Sequence, residues 1–186
     1  HFIGDPAAFR KAIAEAVDIA NAGRIVTFGI SPDRPETGFG YIKAGEQIGP
    51  SAYAVAAFRE KPNHMTALSY LSEGTYSWNA GIFLFPADLM QAELMRHAPD
   101  VLSGAKIALD LTVANGPVHQ IDETSFSGIR SISIDYAVME HTKNAAVVGP
   151  VSCAWSDVGT WPAVGDLQTS SGAVQPVLID AENCTI

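Results

Sequence analysis

The chain has 186 residues, 47% of them hydrophobic and 17% charged. That length and balance fit one domain with a real core and exclude a disordered chain. The net charge of −9 argues against a nucleic-acid binder, which would carry a basic face, but leaves room for a nucleotide substrate served by a few local cations and a metal.

Asp5-Pro6 predicts a helix start, with Asp at the cap and Pro in the first turn. Phe9, Ile13, Ala16, Val17 and Ala20 follow at helical spacing, and Gly23 ends the helix. Arg24 to Ile30 reads as a buried strand, Ser31 to Gly38 as a Pro-rich loop, Phe39 to Ala44 and Tyr53 to Glu60 as strands. Asn63 to Glu73 reads as a helix closed by Gly74, and Trp78 to Phe85 as a second buried strand. Pro86 opens a helix to about Ala98, with further helices near Lys106–Ala114, Asp122–Ser127 and Asp135–His141. Ala145 to Val148 is an apolar strand that leads into Trp155–Trp161. Strands alternating with helices predict an α/β layered fold. The cysteines, Cys153 and Cys184, form no CxxC pair and read as reduced thiols of a cytoplasmic protein. No apolar run reaches bilayer length, so no membrane partner is expected.

The segment Trp155-Ser156-Asp157-Val158-Gly159-Thr160-Trp161 sets one carboxylate between two tryptophans. An Asp held among apolar side chains needs a cation or strong donors to stay ionised, and Asp is a hard ligand suited to Mg²⁺. The plain alternative is a helix start, with Ser156 or Asp157 as cap and Trp161 packed on the core. Gly38-Phe39-Gly40-Tyr41 lets backbone N–H groups approach a ligand, or is a turn into a strand. Glu60 and Lys61 put an acid and a base at a strand end: Glu can accept hydroxyls and Lys can neutralise a phosphate, or both are solvated charges before Pro62. Asn79 lies in an apolar strand and needs partners, which a ligand hydroxyl or the neighbouring backbone could supply. Asp135 stands near a helix N-terminus, where an ordinary cap is the competing explanation. The five histidines lack metal spacing, Cys153 has no base near it in sequence, and neither GxGxxG nor GxxxxGK[ST] occurs.

Taken in order, FGISPDRPETGFGYI, FREKP, WNAGIFLF, SIDYAVME and WSDVGTW resemble the bacterial mannose-1-phosphate guanylyltransferases, from about Ile25 to Trp161. The resemblance implies a Rossmann-like, GT-A-like nucleotidyltransferase domain with a mixed, mainly parallel sheet. Residues 1–167 would be its sugar- and metal-binding part. Residues 168–186 would be a linker and the start of a C-terminal β-helical segment. It implies GTP and mannose-1-phosphate as substrates, with GDP-mannose and pyrophosphate as products. Asp157 would hold Mg²⁺, Lys61 would face the sugar phosphate, Glu60, Asn79 and Asp135 the sugar hydroxyls, and Gly40 would offer backbone N–H. The family's Gly-rich N-terminal signature does not occur in this sequence, so the chain alone is expected to be inactive. A homodimer is one assembly the resemblance allows. The competing functions are another sugar-1-phosphate nucleotidyltransferase, such as a glucose-1-phosphate thymidylyltransferase, and a non-catalytic regulatory subunit that binds nucleotide sugar.

Overall fold

The computed structural model describes residues 1–161 and 163–165. The expected linker and β-helical start at 168–186, with Cys184, lie outside these. Strand β1 (Phe2–Ile3) leads into helix α1 (Pro6–Asn21). Asp5 caps α1 as its sequence predicts, its carboxylate accepting from the N–H groups of Ala7 and Ala8 at 2.9 and 3.0 Å. Strands β2 (Ile25–Ile30), β3 (Tyr41–Gln47) and β4 (Ala52–Arg59) follow, then α2 (His64–Glu73) and β5 (Tyr76–Leu84). Helices α3 (Ala87–His97) and α4 (Pro99–Asp110), hairpin strands β6 (Val113–Asn115) and β7 (Val118–Gln120), and α5 (Glu123–Ser127) come next. A π-helix at Asp135–Met139, β8 (Ala145–Val148) and β9 (Trp155–Ser156) complete the order.

Every residue of β2 is buried. Its side chains alternate between two apolar layers. Val26, Phe28 and Ile30 pack with Ala12, Ala16 and Ala20 of α1. Ile25 packs on the other face with Met90 of α3 and with Ala137, Val138 and Met139 of the π-helix. β8 divides likewise, Ala146 and Val148 facing one layer and Ala145 and Val147 the other. Helices on both faces of a buried sheet give the expected α/β layering, and they explain why β2 and β8 read as continuous apolar runs. Among the described residues no helix is long and apolar enough to cross a membrane.

The sheet is mixed, but its balance differs from the mainly parallel expectation. Strands β2, β5, β3, β4 and β8 close into a ring, and only β2 with β8 pairs parallel. The pairs β2–β5, β3–β4, β3–β5 and β4–β8 are antiparallel. The link from β3 to β4 is too short for a parallel crossover, so those strands must form a hairpin.

Two further corrections concern helices. The expected helix at Lys106–Ala114 is instead the end of α4 followed by β6, and the turn signal was Asn115-Gly116. Pro99 sets the start of α4 by forcing Ala98 out of helical geometry, at φ −146°. The segment expected to be helical at Asp135–His141 is the shorter π-helix.

Replacing Asp5 by Ala leaves two N–H groups of α1 without their acceptor. The expected loss is about 1 kcal/mol, read from the midpoint of a urea titration. An unmoved midpoint would mean that water replaces the cap without cost.

Candidate functional site

Five of the six candidate residues converge where strands end or bulge. Gly40 precedes β3, and its carbonyl accepts from the Asn79 N–H at 2.8 Å. Glu60 and Lys61 follow β4. The chain turns there because Lys61 adopts φ +45°, a left-handed conformation uncommon for a residue with a side chain. This turn brings both side chains to one side, with Lys61 Nζ 3.4 Å from Glu60 Oε1. An uninterrupted strand would have pointed them to opposite faces. The Glu60 side chain is only 8% exposed, whereas that of Lys61 is 58% exposed and free to reach a ligand. A Cβ at position 40 would lie 2.7 Å from Glu60 Oε2, so any other residue there would push the carboxylate from its place against the backbone.

Asn79 finds the neighbouring-backbone partner that its sequence allows, and a carboxylate besides. Its Oδ1 accepts from the Gly81 N–H at 3.1 Å, and its Nδ2 donates to Asp135 Oδ1 at 3.2 Å. Asp135 opens the π-helix, where the Ser133 hydroxyl accepts from the Tyr136 N–H at 3.4 Å. Burial raises the Glu60 carboxyl above its usual range. The nearby Asp135 raises it further, and Lys61 opposes both. Burial also raises Asp135, against the donors Asp135 N–H, Ser133 and Asn79 and the charge of Lys61. Two reluctant carboxylates, an amide and one ammonium group suit a ligand with both hydroxyls and a negative charge.

Asp157 lies apart from these five. It lines a cavity of about 410 Å³ with Asp33, Arg34, Glu36 and Trp155. Trp78 lines this cavity while its neighbour Asn79 belongs to the polar cluster, as alternation along a strand requires. Phe39 stands edge-on to both Trp78 and Trp155, at 5.3 and 5.5 Å. The Arg34 guanidinium lies 5.1 Å over the Trp78 ring and pairs with Asp33 and Glu36. The loop carrying Asp157 is held at positive φ by Ala154 and Val158, at +48° and +54°. Thr160, not Ser156 or Asp157, caps the short helix that follows, accepting from the Ala163 N–H at 3.4 Å. Trp161 is exposed rather than packed on the core. Among the described residues no three His, Cys, Asp or Glu side chains gather to hold a metal. Cys153 is buried in the core, and burial pushes its thiol up, away from nucleophilic use.

Three contributors escaped the sequence reading. Thr27 of β2 donates to Asn79 Oδ1 at 2.7 Å, and its one trace in sequence is a polar residue inside an apolar strand. Glu140 accepts from the Glu60 N–H at 2.9 Å and so ties the β4 end to the π-helix. The stacking of Arg34 on Trp78 joins residues 44 positions apart, which no local pattern reveals.

The nucleotidyl transferase family pattern matches residues 1–171. The chain belongs to the nucleotidyl transferase family. This nucleotidyl transferase chain is 46% identical over 167 residues to mannose-1-phosphate guanylyltransferase RfbM of Salmonella typhimurium, covering 90% of the chain and 35% of that protein. It is 43% identical over 180 residues to mannose-1-phosphate guanylyltransferase of Escherichia coli, covering 94% and 37%. The xanthan biosynthesis protein XanB of Xanthomonas campestris is 43% identical over 172 residues, covering 92% and 36%. The chain thus spans little more than a third of the length of these curated relatives. Among solved structures, mannose-6-phosphate isomerase from Helicobacter pylori superposes with a TM-score of 0.76 at 33% identity, covering 84% of this chain and 60% of that one. A Thermus thermophilus protein named mannose-1-phosphate geranyltransferase gives 0.74 at 35% identity, covering 89% and 46%.

The raised carboxyls fix the sign of one pH effect. A raised pKa in the folded state means that the native chain holds protons the unfolded chain has released. Stability from these groups is therefore full below the ordinary value and falls as pH rises through the raised one. Glu60→Gln removes one such group. The variant is expected to be more stable than wild type at neutral pH, with the gain shrinking toward about pH 4. Denaturant titrations at both pH values check this, and a gain that grows on acidification would refute it.

Proposed function

We propose that this chain is the sugar-phosphate-binding part of a mannose-1-phosphate guanylyltransferase, which joins GTP and mannose-1-phosphate into GDP-mannose and releases pyrophosphate. The observation that carries the reading is the convergence of Glu60, Lys61, Asn79 and Asp135 around the backbone at Gly40. The names of the relatives support it. In such a transfer an oxygen of the sugar phosphate attacks the α-phosphorus of GTP in line and pyrophosphate leaves. Positioning and charge neutralisation then carry most of the catalysis. Lys61 would anchor the sugar phosphate. Glu60 and Asp135 would accept from sugar hydroxyls, and Asn79 would donate through Nδ2. Such hydrogen bonds reject a sugar of wrong configuration better than an apolar wall does.

Asp157 would hold Mg²⁺. A half-buried carboxylate fits that ion, which takes one or two carboxylates and leaves its remaining positions to water and substrate phosphates. Gly159 keeps the carboxylate clear, since a Cβ there would lie 2.6 Å from Asp157 Oδ2. When bound, Mg²⁺ would supply neutralising charge to the phosphates.

The direct test is an activity screen of an active form of the protein against four nucleoside triphosphates and several sugar-1-phosphates. The reading expects GTP with mannose-1-phosphate to give the highest kcat/KM. Lys61→Ala is expected to weaken mannose-1-phosphate binding by about tenfold or more while leaving free mannose nearly unchanged, since its partner is the phosphate. Calorimetry with both ligands decides it, and equal losses would remove Lys61 from the phosphate. Asp157→Asn is nearly isosteric but a poor Mg²⁺ ligand. A fall in kcat of about a hundredfold is expected, by analogy with other lost electrostatic stabilisers, with little change in sugar KM. Kinetics across a Mg²⁺ titration check this, and a wild-type kcat would reduce Asp157 to a loop residue.

A further inference from the structure

The geometry points to Thr27 as the positioning residue that fixes the Asn79 amide toward the sugar-phosphate site, an inference that rests on the function proposed above. Thr27 is fully buried in β2, among Ile25, Val26, Phe28 and Ile30. A valine would suit that strand as well in shape and would bury no hydroxyl. The hydroxyl has a partner because the neighbouring strand is irregular. Thr27 pairs with Phe83 and Gly29 with Asn79, so Ala80, Gly81 and Ile82 of β5 stand opposite Phe28 alone. The bulge turns at Gly81, at φ +68°. It folds the Asn79 side chain back over the strand.

Two donors then meet the same atom. The Gly81 N–H reaches Asn79 Oδ1 at 3.1 Å and the Thr27 hydroxyl reaches it at 2.7 Å. A backbone N–H can only donate, so the atom facing it must be the amide oxygen. Nδ2 is thereby directed to Asp135, to which it gives one hydrogen. Its second hydrogen is left for a ligand. Gly81 selects the oxygen and Thr27 clamps the amide plane. Without the hydroxyl the amide loses its shortest bond and keeps only the longer ones to Gly81 and Asp135, so its last torsion, which is broad for Asn, is held less tightly. Asn79 then presents its donor to the site for only part of the time. The hydroxyl has a second acceptor, the Ile82 carbonyl at 3.1 Å, in the same bulge. The single hydroxyl hydrogen is shared between the two acceptors, with Asn79 Oδ1 the nearer, and either bond ties Thr27 to the segment that carries Asn79.

The test uses an active form of the protein. Thr27→Val keeps the shape and removes the hydroxyl, whereas Thr27→Ser keeps the hydroxyl and removes the methyl group. Thr27→Val is expected to raise the KM for mannose-1-phosphate by about five- to tenfold, the usual worth of one hydrogen bond, with GTP KM and kcat within about twofold. Thr27→Ser is expected to stay within about twofold of wild type throughout. Adding Thr27→Val to Asn79→Ala is expected to raise the KM no further, because the clamp then holds nothing. A purely structural Thr27 would add its effect to that of Asn79→Ala, and that result overturns the inference. Equal losses in Val and Ser overturn it too, as does an unchanged KM in Thr27→Val when Asn79→Ala raises it. If Asn79→Ala leaves the KM unchanged, the sugar-site reading itself fails and Thr27 falls with it. Should Thr27→Val not fold, Thr27→Ser against Thr27→Ala carries the same contrast.

Discussion

Every residue of β2 is buried, its backbone pairing with β5 on one side and β8 on the other and its side chains packing into two apolar layers. Nothing in the middle of such a strand can meet solvent, so chemistry has to emerge where neighbouring strands begin, end or lose register. The site follows this rule. Gly40 lies before a strand, Glu60 and Lys61 after one, Asn79 at a bulge, and Asp135 at the mouth of a helix that packs against the sheet. The apolar layers thus serve as a frame that fixes where these irregularities fall. The one hydroxyl that β2 does carry is aimed at the bulge.

The polar cluster is costly in the free protein. Two carboxylates share a half-buried space, and each is pushed toward its neutral form mainly by the loss of water around it. One exposed ammonium group opposes this for both. A ligand that brings hydroxyls would give the carboxylates hydrogen to accept, and a ligand phosphate would use the ammonium charge. Destabilisation in the empty state is then the counterpart of selectivity in the bound one.

Much of this was legible in sequence because it depends on local rules. Asp5-Pro6 announced its helix, and the apolar runs at β2, β5 and β8 announced buried strands. The candidate residues stood out as polar groups at the ends of such runs. The ring closure and its mostly antiparallel pairing were not legible, since pairing partners are set by tertiary contacts and connection length rather than by strand composition. The exchange of a helix for β6 overrode the expected helical pattern through two turn residues, Asn115 and Gly116. Thr27 and Glu140 were hidden for another reason. Each acts on a residue more than 50 positions away: Thr27 stands just outside the quoted motifs, and Glu140, although it ends SIDYAVME, carries no local sign of its partner.

The π-helix has a mechanical side. Its closing bond runs from the Glu140 N–H to the Asp135 carbonyl, five residues back rather than four. In a regular α-helix two residues five apart point about 140° away from each other. The wider turn narrows that angle, so Asp135 can reach Asn79 while Glu140 holds the backbone of Glu60. A single extra residue therefore acts as an angular gear between the two halves of the cluster. Residues four apart in an α-helix point only about 40° from each other, so the wide turn aims Asp135 and Glu140 much as an ordinary helix aims a pair four apart, with one more residue accommodated between them. The aim of this wall is thus set by the hydrogen-bond register of the turn rather than by the number of residues in it.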